Sequence, residues 1–182
     1  IQIQANTHTV TLPSGQDGYT VTAQSGSTSP VNNGGSYRFT VTIADGYYTT
    51  DSFAVKTNNT VLTADESGVY TIENITANQT VTVTGVVEAE ESPVKPALSG
   101  PPGDNGWYTS DVTITPPEGY QISETFNGTY EEEITISQSV GDNYTVYLKR
   151  LEDSALFKGT VIGSIKIDKD KPAISVGGDT TT

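Results

Sequence analysis

The stretch "SYRFTVTIADGYYTTDSFAVKT" (Ser36 to Thr57) decides the fold. Tyr37, Phe39, Val41 and Ile43 alternate with polar residues. That two-residue period belongs to a strand with one buried face. "DGYYTTD" then interrupts the pattern and reads as a turn. "SFAVKT" reads as the next strand.

The same grammar extends in both directions. Upstream, "IQIQANTHTVTLP" alternates apolar and polar residues, and "GYTVTAQ" follows before the loop "SGSTSPVNNGG". Downstream come "TVLTA", "GVYTIEN" and "QTVTVTGVV", separated by Asn, Asp and Gly. Seven short strands at this spacing predict a β-sandwich. Val, Ile, Thr and Tyr dominate the apolar runs, and these are strand formers. No long stretch places apolar residues at helical spacing.

"EAEESPVKPALSGPP" breaks the run with acids and prolines. It reads as a stiff linker leading into a new edge strand. The boundary near Ser92 predicts modules over residues 1–91 and 92–182. The second half repeats the plan, with strand candidates in "WYTSDVTITPP", "YQISETF", "EEEITISQ", "NYTVYLKR" and "ALFKGTVIGSIKID". "DKDKPAISVGGDTTT" reads as an exit strand and a linker. "VTIADGYYTTDSF" can be set against "VTITPPEGYQISETF": both read strand, Gly-Tyr turn, strand ending in Phe.

Composition narrows the function. The chain has 182 residues, 34% of them hydrophobic, and a net charge of -13. Nine Lys and Arg residues form no basic stripe, so nucleic acid and anionic membrane surfaces are poor partners. The charge favours solubility and a monomer. There is no cysteine, hence no disulfide framework. No membrane span or signal peptide is recognisable. The chain starts at Ile1 and contains no Met, which reads as a processed or excised piece of a longer protein.

"GYTVTAQSGSTSPVNNGGSYRFTVTIADGYYTTDSF" and "YTIENITANQTVTVTGV" resemble Ig-like repeat modules of surface proteins from gut and other Firmicutes. The second half, with "GWYTSDVTIT" and "IKIDKDKPAIS", resembles a sister module. The resemblance covers roughly residues 8–176. It implies tandem Ig-like β-sandwiches in a secreted or wall-anchored bacterial protein, serving as stalk, spacer or adhesin. It implies no enzymatic activity and an extracellular or cell-wall location. A host or dietary glycan or protein would be the partner. No Leu-Pro-x-Thr-Gly sorting signal is present. "LPSG" at Leu12 to Gly15 is neither that motif nor at the right end. A carbohydrate-binding accessory module of a secreted glycanase is the alternative.

Candidate chemistry is sparse. His8 is the sole histidine, and it reads as a cross-strand residue rather than a triad member. Glu131, Glu132 and Glu133 read as alternating faces of a solvated edge strand, not as a glycosidase pair. Trp107, Tyr108, Tyr47 and Tyr48 are the aromatic candidates for stacking on a sugar. The competing reading packs Trp107 at the base of the sandwich. Asp168 and Asp170 are the calcium candidates at the C-terminal junction, although Lys169 and Lys171 offset their charge. A Lys-Asn type isopeptide cross-link finds only imperfect pieces, Lys56 in the first half and Lys95 with Asp168 in the second.

Overall fold

The computed structural model describes residues 6–100 and 102–170. Among them every regular element is a strand, apart from a 3-10 turn at Asp104–Gly106. The chain divides into two compact units, Ile1–Glu90 and Glu91–Thr182.

The first unit contains β1 (Thr7–His8), β2 (Val10–Thr11), β3 (Tyr19–Ala23), β4 (Val31–Asn32) and β5 (Gly35–Ile43). It continues with β6 (Tyr47–Thr57), β7 (Thr60–Leu62), β8 (Val69–Ile75) and β9 (Gln79–Glu88). One sheet has the order β3-β5-β8 and the other β2-β9-β6-β7, while β1 pairs with β4. The core takes Tyr37, Phe39, Ile72 and Ile75 from the first sheet, and Val10, Val55 and Val81 from the second. The two sheets therefore close on one another. Phe39 is fully buried and stacks on Tyr70, with 5.5 Å between ring centroids. Burying a side chain of this size contributes about 1.5–3 kcal/mol.

Local chemistry explains the turns. Tyr47 N–H donates to the Ala44 carbonyl, so only Asp45 and Gly46 form the turn between β5 and β6. Gly46 sits at φ 80°, a conformation that costs glycine little. The expected turn "DGYYTTD" is thus mostly strand: β6 begins at Tyr47. Its pairing with β9 slips between Thr49 and Ala54, which accommodates Thr50–Phe53 as a bulge. Gly85 lies under that bulge at φ 76°. A Cβ there would stand 2.4 Å from the Phe53 backbone nitrogen. Asn58 and Asn59, at φ 43° and 75°, form the two-residue hairpin between β6 and β7. In β8, Asn74 at φ 49° marks a second bulge opposite Gly35–Tyr37, which returns Ile75 to the core.

The second unit contains β10 (Ala97–Leu98), β11 (Trp107–Tyr108), β12 (Val112–Thr115) and β13 (Tyr120–Ser123). Then follow β14 (Ile134–Ile136), β15 (Thr145–Arg150), β16 (Thr160–Val161) and β17 (Lys166–Ile167). The sheets have the orders β10-β12-β14 and β13-β15-β16, and β11 pairs with β17. Val112, Ile114 and Ile136 meet Ile122, Val146 and Leu148 across the core, with Phe157 and Ile165 joining them. β10 lies within the Pro-rich stretch and forms the edge beside β12.

Two expectations change here. Glu131–Glu133 do not alternate along a strand. Glu131 makes a single bridge to Ile122, all three glutamates are exposed, and β14 starts only at Ile134. The long strands expected at each end are also fragmentary. "THTVT" supplies β1 and β2, and "ALFKGTVIGSIKID" supplies β16 and β17. The exit strand expected from Lys171 onward lies outside the described residues, as do Ile1 to Ala5.

The same kind of crossing occurs inside each unit. Tyr120 N–H donates to the Pro117 carbonyl at 3.1 Å, with Gly119 at φ 84°. This Gly-Tyr turn carries the chain from β12 in one sheet to β13 in the other, as the Gly46-Tyr47 turn carries it from β5 to β6.

Candidate functional site

The aromatic candidates separate. Tyr47 and Tyr48 open β6 in the first unit, both half-buried. The Tyr47 ring lies over Gly18, where an added Cβ would stand 2.7 Å from its Cδ1. Trp107 and Tyr108 form β11 in the second unit. Strand alternation turns Tyr108 onto the core and Trp107 outward, 43% exposed. The packing reading of Trp107 therefore fails, and Tyr108 takes that role. No one unit gathers all four rings.

Asp168 and Asp170 form a local turn: Asp168 Oδ1 accepts the Asp170 N–H at 2.9 Å. Asp168 also donates its N–H to the Tyr108 carbonyl at 2.8 Å, which fastens the chain beyond β17 to β11. Lys169 pairs with Asp111 and lowers its pKa, chiefly through the hydrogen bond. Among the described residues no group of three or more His, Cys, Asp and Glu could hold a metal ion. His8 Nε2 is hydrogen-bonded to Asn33 Oδ1 at 2.8 Å, beside the β1–β4 pairing. Lys56 lies within β6, with Val61 and Thr82 as its strand neighbours, and Lys95 is exposed.

A feature that sequence reasoning missed lies between β13 and β14. The strands sit in different sheets, and each forms the edge of its own. A cleft of about 400 Å³ opens there, lined by Ser123, Glu124, Thr125, Thr129, Glu131 and Thr135 over Ile122 and Ile134. Its size falls within the usual range for ligand pockets. The connecting loop is braced at several points. Ile122 and Glu131 exchange both backbone hydrogen bonds, each 2.8 Å. Gly128 N–H donates to the Thr125 carbonyl at 3.1 Å. Tyr130 O–H donates to the Phe126 carbonyl at 2.8 Å, and burial pushes its pKa up to about 12. Phe126 meets Tyr147 edge-on, with 5.8 Å between centroids. Tyr144 donates to the Glu124 carboxylate, and burial together with that bond raises the Tyr144 pKa. The signal in the sequence is "SETFNGTYEEE": an Asn-Gly turn among hydroxyls and acids between two strands.

Each unit also joins its second strand to its last. β2 runs parallel to β9, and β11 runs parallel to β17. In the first unit the start of β9 is tied down further. Thr57, 6% exposed, donates its hydroxyl to Gln79 Oε1 at 2.8 Å. Asn58 donates to the Asn78 carbonyl and accepts the Thr80 N–H. In the second unit Ser139 Oγ accepts the Ile167 N–H at 2.8 Å, and Val140 and Ile165 exchange backbone hydrogen bonds.

Comparison with known proteins finds no matching family model, no matching curated protein and no matching solved structure.

Proposed function

We propose that the chain is a pair of Ig-like β-sandwich modules, a non-catalytic structural or adhesive segment of a larger exported bacterial surface protein. The strand order supports the Ig-like assignment. In an Ig-like sandwich the second and fifth strands pair in one sheet, and the third and sixth pair in the other. Here β5 pairs with β8 and β6 with β9 in the first unit. The corresponding pairs in the second are β12 with β14 and β13 with β15. The shared Gly-Tyr crossing supports the reading of a repeated module.

The observation that carries the mechanical reading is the parallel pairing, in both units, of the second strand with the last. Tension through the chain pulls such strands in opposite directions along their length. Their hydrogen bonds then bear load together, whereas an antiparallel hairpin peels one bond at a time. A stalk or spacer needs that property. The test is to locate the intact protein with an antibody to this chain. Recovery from the cell wall, as part of a longer multi-module protein, is the expected result. Recovery from the cytoplasm would contradict the reading.

The exposed Trp107 supports the second reading, a carbohydrate-binding accessory module. That reading predicts quenched and shifted tryptophan emission on adding polysaccharide. It also predicts a catalytic domain in the same secreted chain.

A further inference from the structure

We propose that the cleft between β13 and β14 binds an extended peptide strand carrying an arginine or lysine. This goes beyond the structural reading and does not depend on it. Three observations converge. First, the cleft is flanked by a free backbone edge whose polarity can be derived. Thr113 donates its N–H to Ser99 Oγ and accepts the Ser99 N–H on its carbonyl, both at 2.8 Å. Both backbone groups of Thr113 therefore point toward β10. Thr113 is the register partner of Thr135. Antiparallel pairing alternates bonded and non-bonded positions, so the Thr135 N–H and C=O point away from β12. β14 is the last strand of its sheet, and Thr135 lines the cleft. An added strand would pair there, as in recognition by strand addition.

Second, Ser123 is 5% exposed and lines the same cleft. Its Oγ accepts the Thr125 N–H at 3.3 Å, which leaves its hydroxyl proton to donate. Third, Glu124 and Glu131 put two exposed carboxylates on the wall, and Tyr144 fixes the first. A guanidinium or ammonium group suits them through charge-assisted hydrogen bonds. The chain's net charge of -13 steers cations in the same direction. A saccharide fits less well: among the described residues the lining carries no aromatic ring for a pyranose to stack on. The braced loop reduces the ordering cost of binding.

The experiment uses the full chain, labelled with ¹⁵N. The probe is a blocked heptapeptide alternating threonine and valine around a central arginine. Amide shifts centred on Ser123, Thr125, Thr129 and Thr135 are expected. Replacing the arginine by glutamate should abolish them. The double substitution Glu124→Gln with Glu131→Gln should weaken binding about tenfold or more. Both side chains are exposed and the change is isosteric, so the fold survives. Thr135→Pro should abolish binding, since proline removes the free N–H at an edge position where it is tolerated. The proposal is overturned if the arginine peptide causes no shifts at millimolar concentration. It is also overturned if the glutamate peptide binds equally, if the glutamine variant binds unchanged, or if only soluble β-glucan oligosaccharides shift these signals.

Discussion

Glycine 85 shows how a single residue sets the form of the first unit. Its φ of 76° and the 2.4 Å approach to Phe53 N leave no room for a side chain. Gly46 shares the left-handed backbone, at φ 80°, but has open space around it. Gly46→Ala should therefore cost only the conformational term, about 1–2 kcal/mol. Gly85→Ala adds a clash with backbone, and the total should reach roughly 2–5 kcal/mol. Denaturant titration followed by circular dichroism measures both. A second residue-scale test concerns Asp153. Arg150 donates to it through Nε at 2.9 Å and Nη2 at 2.6 Å, and Ala155 adds a backbone N–H at 3.1 Å. The Arg150 bond, first among these, holds the Asp153 pKa down to about 2. A carboxylate with a depressed folded pKa stabilises fully above its unfolded value of about 3.9. That contribution should fade as the pH falls toward about 2. An NMR titration of the Asp153 carboxyl with a midpoint near 4 would refute the pairing.

Elements were legible where one face is buried and the chain is regular. The alternation in β5 shows its inward face directly: Tyr37 and Phe39 are the buried members. The Gly-Tyr turns were equally readable, because Asp-Gly and Glu-Gly supply the needed backbone freedom. Bulges hid the rest. β6 carries Thr50–Phe53 as a bulge, so its polar middle resembled a loop. In β8 the core residues Ile72 and Ile75 are three apart, a spacing that the Asn74 bulge reconciles with a strand. The outward turn of Trp107 was not legible, because a two-residue strand carries no periodicity to read. The cleft was invisible for a different reason. Its lining comes from two strands and a loop that approach only in the folded unit. At this scale Ser139→Ala tests how β17 is held. It removes the acceptor for the Ile167 N–H and should cost about 1 kcal/mol of stability.

Across the whole molecule, the acidic charge and the all-β architecture were both plain in the composition. The pairing of second and last strands was not, because the partners lie 69 residues apart for Val10 and Gln79 and 59 apart for Trp107 and Lys166. Such contacts are made by topology rather than by local pattern. They also support the central claim, that each unit is built to bear tension along the chain. The chain contains no cysteine, so introduced pairs give unique handles. The direct measurement is single-molecule pulling in two geometries. One applies force through the two ends of the chain and, once β1 leaves β4 and β10 leaves β12, loads β2–β9 and β11–β17 in shear. The other uses Thr145→Cys with Val161→Cys, which are register partners, and peels β15 from β16. Two discrete events at clearly higher force in the end-to-end geometry are predicted, with the Ser139→Ala variant lowering one of them. Unfolding at the same low force in both geometries would contradict the account.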